Sequence, residues 1–86
     1  MIQKVDIPVS VLLYHDPQKS KTLPVSISYN ARDYKIQKIG FHHTFRTGRT
    51  LFHVFSVVAQ GTFFRLVFNT DNLFWRLEEI SDGYAD

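Results

Sequence analysis

Val5, Ile7, Val9, Val11 and Leu13 recur at every second position, with Asp6, Pro8, Ser10 and Leu12 between them. Period two is the signature of a half-buried strand, because successive side chains leave a strand on opposite faces. The same alternation returns in Leu23, Val25, Ile27 and Tyr29 and again over residues 51–59, 62–69 and 73–80. Polar, glycine- or proline-containing stretches separate these runs, and β-branched and aromatic residues fill them. The chain is therefore expected to be all-β, with five to six antiparallel strands in meander order. No stretch is long enough for a crossover helix, which points to a small SH3-like barrel or a strongly curved sheet. Residues 73–80 admit two helical turns as the alternative to a strand.

Local signals refine this map. Pro8 cannot donate a ladder hydrogen bond, so the first strand is expected at an edge. Residues 15–22 (HDPQKSKT) read as a loop, and residues 30–33 (NARD) as a turn. Between Ile36 and Ile39 the alternation slips by one, as a bulge near Gln37-Lys38 produces. Gln60-Gly61 reads as a two-residue hairpin tip, which sets Phe55 opposite Leu66, Ser56 opposite Arg65 and Val57 opposite Phe64. Thr70-Asp71, taken as the next tip, sets Leu66 opposite Trp75, Phe64 opposite Leu77 and Arg65 opposite Arg76. The expected core is then Phe55, Val57, Phe64, Leu66, Phe68, Leu73, Trp75 and Leu77.

Eighty-six residues allow one domain, expected over residues 1–80 with a flexible tail at 81–86. A core this small must use its large side chains well, and aromatics make up 15% of the chain. The chain has no cysteine, so disulfides and thiolate metal sites are ruled out. No run of apolar residues suits a membrane helix and the first residues do not read as a signal peptide, so a cytoplasmic location is expected. The net charge of +2 conceals an asymmetry: residues 17–65 hold eight cations against Asp33 alone, while residues 66–86 are acidic. A basic middle hints at a polyanionic partner.

The face opposite the expected core carries Ser56, Arg65 and Arg76 among Phe52, Val54, Val58, Phe63, Val67 and Phe74. Two arginines opposite one another require an anion, either Glu78 on the diagonal or a phosphate from outside. Arginines among aromatic rings suit single-stranded nucleic acid, whose bases stack on the rings. The leading expectation is a binding module contacting nucleic acid through Arg65, Arg76, Lys35, Lys38, Arg46 and Arg49, with Phe63 and Phe74 stacking. The alternative is a protein-interaction or homodimer module on the same face. A third expectation is minor: His53 facing His42, or His43 if a bulge intervenes, as the start of a metal site that lacks further ligands. Glu78 and Glu79 point apart on a strand and no nucleophile or phosphate loop stands out, so neither catalysis nor a cofactor is expected.

The segments Ile7-Pro8-Val9-Ser10-Val11, Arg32-Asp33-Tyr34-Lys35-Ile36, Phe64-Arg65-Leu66 and Trp75-Arg76-Leu77-Glu78-Glu79-Ile80 resemble a family of short bacterial all-β domains of unknown function. That family shows an Arg-x-Tyr/Phe-x-Val/Ile strand start and a Trp-x-Leu-x-x-Ile/Val ending. Its members sometimes accompany error-prone DNA polymerase genes, so the resemblance implies a nucleic-acid setting. It carries no functional residues across, and this chain departs from it in having Trp75 as its single tryptophan.

Overall fold

The computed structural model describes residues 2–82. It contains β1 (Ile2–Asp16), β2 (Lys21–Tyr29), β3 (Arg32–Lys35), β4 (Lys38–Thr47), β5 (Thr50–Ala59), β6 (Thr62–Asn69) and β7 (Phe74–Ser81). These seven strands, one or two more than the sequence suggests, form one curled sheet in the order β3-β2-β1-β7-β6-β5-β4, every neighbour antiparallel. Residues 74–80 resolve as strand, not helix, and Leu73 belongs to the preceding turn. β7 includes Ser81, the first residue of the expected tail, and residues 83–86 lie outside the described residues.

Two corners curl the sheet. Within β1, Ile2 to Val9 pair with β7, and Ser10 to Asp16 pair with β2. The strand thus passes from one neighbour to the other between Val9 and Ser10. The second corner lies between β3 and β4. Antiparallel pairing round the sheet makes these two run in the same direction, with only Ile36 and Gln37 between them. Ile36 N donates to Val25 O at 2.9 Å, and Gln37 N donates to Val58 O at 2.8 Å. One peptide hands the chain from β2 to β5, so β3 and β4 are two arms of one bent strand. Bends of this kind are how strands change sheets in orthogonal packings.

Several local expectations are corrected by this geometry. β1 is internal to the sheet, not an edge. Pro8 is tolerated because its half of the strand pairs with β7 alone, opposite Arg76. The loop at 15–22 shrinks to a turn at 17–20, since His15 and Asp16 pair with Thr22 and Lys21. Polar residues form strand there because the hairpin arm has no face to bury. The parity slip at Gln37-Lys38 is the corner itself, and the true bulge in β4 falls at Gly40, between Ile39 and Phe41.

The turns decide the registers. Gln60 and Gly61 both take positive φ (53° and 73°), as a tight hairpin turn requires, and the expected β5–β6 pairs all form. The next connection is longer than two residues. Residues 70–73 form it, with Asn69 Oδ1 accepting from Asp71 N and Asn72 Oδ1 accepting from Phe74 N, each at 2.9 Å. The β6–β7 register therefore moves by two: Phe68 faces Trp75, Leu66 faces Leu77, and Val67, not Arg65, faces Arg76. Leu73 adopts φ of 63° and is 68% exposed, so it leaves the expected core. The buried cluster is Ile27, Phe55, Val57, Ala59, Phe64, Leu66, Trp75 and Leu77, with Phe68 partly buried against it.

Candidate binding face

The convex face of β1, β7, β6, β5 and β4 can be written as four cross-strand rows. The first is Phe45–Phe52–Asn69–Phe74; the second is His43–Val54–Val67–Arg76–Pro8. The third is Phe41–Ser56–Arg65–Glu79–Lys4, and the fourth is Lys38–Val58–Phe63–Ser81–Ile2. Phe45 and Phe52 stack at 4.8 Å and 9°, and Phe41 lies 5.1 Å from His43. Val54 and Val67 are buried at 1% and 8% exposure yet stand outside the main core cluster, so this face has a small apolar centre of its own. Around it Phe41, Phe45, Phe63 and Phe74 remain 59%, 43%, 47% and 67% exposed.

Both arginines have intramolecular partners. Arg65 Nε lies 2.8 Å from Glu78 Oε1, one of the two anions the sequence allows, although Arg65 faces Glu79 and not Arg76. The Nε–H is not aimed at that oxygen, so this is a charge contact without a hydrogen bond. Arg76 is held more firmly: Nε donates to Asp6 Oδ1 at 2.8 Å and Nη2 donates to the Asp6 carbonyl at 2.6 Å. Sheet irregularities supply both carboxylates. Glu78 is the extra residue where β7 slips against β6, and Asp6, with φ of 47°, lies where β1 slips against β7. A bulge re-aims a side chain, and here two bulges each aim an acid at an arginine. All four side chains remain partly exposed, so these pairs steer geometry more than they stabilise it.

Of the other expected cations, Lys38 shares this face in the fourth row, while Lys35, Arg46 and Arg49 lie apart from it. Lys35 closes β3, and Lys38 opens β4 at the corner. Arg46 pairs with Leu51 near the far end of β4, and Arg49 lies in the β4–β5 turn. Eight residues of strand separate Lys38 from Arg46, roughly 26 Å of sheet. Phe63 and Phe74 do share the face with Arg65 and Arg76, in different rows.

The histidines divide between the faces. The β4–β5 tip is Gly48-Arg49, not Thr47-Gly48, so Thr44 faces His53 and His42 faces Phe55. His42 and His53 are therefore diagonal on the concave side, with His42 Nε2 and His53 Nδ1 hydrogen-bonded at 2.9 Å. His43 points to the convex face and does not join them. No group of three metal-ligating side chains occurs among the described residues. The His42 ring stacks on Phe55 at 4.2 Å and 9°. Burial against that ring first, then the neighbouring His53 and His43, holds His42 below its ordinary value.

The fold and the face thus define a small curled β domain with an aromatic convex surface. Compared with protein-family models, curated proteins and solved structures, the chain matches none at a significant level. Among the described residues, no helix is long and apolar enough to cross a membrane.

Proposed function

We propose that this domain is a protein-binding module without catalytic activity, and that its convex face packs against a second copy of the same chain. The observation that supports this reading is the exposure of Phe41, Phe45, Phe63 and Phe74 on one sheet face. At about 200 Å² per ring, their uncovered surface comes to roughly 430 Å², about half of what each partner gives to a standard interface. The rings are spread over three rows around the buried Val54 and Val67, and their summed exposure is comparable to the largest apolar patch of a typical monomer, which is often functional. The face is also close to electrically balanced, with Arg65, Arg76, Lys4 and Lys38 set against Asp6, Glu78 and Glu79. Such a face meets its own copy without net repulsion. It carries both knob and hole: beside the exposed Phe74 ring lies a hollow of about 180 Å³ lined by Pro8, Phe52, Val67 and Arg76. A two-fold contact needs that self-complementarity.

Nucleic acid is less well supported, because Arg65 and Arg76 already have carboxylate partners and Lys35, Arg46 and Arg49 lie apart. Sedimentation of the purified chain tests the choice. A dimer is expected, and Phe74→Asp is expected to return it to a folded monomer with an unchanged far-ultraviolet spectrum. A wild-type chain that stays monomeric at high micromolar concentration overturns the reading. So does tight, salt-dependent binding of a short single strand that Arg65→Gln abolishes.

A further inference from the structure

The opposite, concave side of the sheet holds a cleft of about 490 Å³ at one end of the curl. It is walled by Leu13 and Leu23 from the first hairpin and by Ile39 from β4, and the exposed Ser20, Lys21 and Thr22 also line it. We propose that this cleft is a binding site for a small planar aromatic carboxylate, with the ring stacked on the aromatic floor and the carboxylate at Lys21.

Three observations carry the assignment. First, the size falls in the range of small-molecule sites, roughly 300–1,000 Å³, and barrel mouths are a common place for them. Second, the floor is a circuit of flat rings. His42 stacks on Phe55 at 4.2 Å, Phe55 lies 5.8 Å from Trp75, and Trp75 stacks on Phe68 at 4.5 Å. Phe68 lies 6.4 Å from His53, which closes the circuit on His42 at 5.1 Å. His42, His53, Phe55 and Phe68 line the cleft, so a flat ligand meets aromatic surface there, which aliphatic walls alone would not offer. Third, the lining contains Lys21 and two imidazoles and no acidic side chain. Asp16, the cross-strand neighbour of Lys21, turns its Oδ1 to the backbone amides of Gln18 and Lys19 at 3.0 and 3.4 Å. One ammonium over apolar walls suits a single carboxylate; a phosphate would call for more donors.

The site is independent of the convex face and goes beyond the dimer reading. Trp75, the single tryptophan, does not line the cleft but stacks on Phe68, which does, and so reports on it. The test is a proton–nitrogen NMR titration of the full chain with 2-naphthoate and, in parallel, with uncharged 2-naphthylmethanol. Saturable shifts are expected at the Trp75 indole and the His42 and His53 rings, with naphthoate binding about fivefold tighter, as one exposed charge pair provides. Lys21→Gln is expected to remove that preference while leaving naphthylmethanol binding unchanged. Leu13→Trp, a change at the exposed rim, is expected to block both. The proposal is overturned by unsaturable shifts, by shifts confined to the convex phenylalanines, by equal affinity of the two probes in the wild type, or by a preference that survives Lys21→Gln. Repeating the titration on Phe74→Asp separates this site from self-association, whose failure leaves the expected shifts in place.

Discussion

At the scale of single residues, the His42–His53 contact joins structure to solution behaviour. A hydrogen bond between two ring nitrogens needs a donor and an acceptor, so at most one of the two rings can be protonated while it holds. His42 sits on Phe55, with His53 on β5 beside it, His43 on its own strand and Lys21 on the facing wall of the cleft. Every one of these neighbours is apolar or able to carry positive charge, and the folded value of His42 lies below its ordinary 6.5. The unfolded chain therefore binds this proton more tightly than the folded one. The sign follows: the contribution is complete above the unfolded value and is lost as pH falls through the folded value. The urea midpoint is expected to drop as the pH is lowered from about 7, and His42→Gln is expected to flatten that part of the profile. An unchanged slope in the variant would assign the loss to other groups.

At the scale of elements, turns and bulges govern what each strand presents. Asn30 and Ala31 both take positive φ, 54° and 62°, in the tight turn between β2 and β3. An asparagine tolerates that conformation; an alanine pays a steric cost for its β-carbon there. Ala31→Gly is accordingly expected to raise stability by roughly 1 kcal/mol, read as a higher urea midpoint at constant slope. The same chemistry explains why one hairpin register was legible and the next was not. Gln60-Gly61 is a glycine-bearing two-residue tip, and its pairs follow directly. The connection after Asn69 is closed by asparagine side chains over residues 70–73, and nothing in Thr70-Asp71-Asn72-Leu73 distinguishes it from a shorter turn plus a strand start. Two residues of error there moved Arg76 out of the Arg65 row.

At the scale of the molecule, the bent β1 and the bent β3–β4 pair let one sheet enclose a core. Leu66 lies at its centre, fully buried and opposite both Phe55 and Leu77. Leu66→Ala is expected to cost about 2–5 kcal/mol, a large part of the stability of a domain this size, measured by urea unfolding. Alternating apolar residues and turn chemistry were enough to determine an all-β antiparallel domain, most of its strands and the β5–β6 register. Each depends on residues near one another in the chain, where strand period and turn geometry act directly. Tertiary structure alone decided the β1–β7 seam, the corner at Ile36-Gln37, the Asp6 clamp on Arg76 and the joining of His42 and Phe55 to Lys21 round one cleft. Asp6 and Arg76 are 70 positions apart, and no local preference records such a pairing. It forms because the sheet buries its apolar face only by curling, and the curl selects which distant polar groups meet.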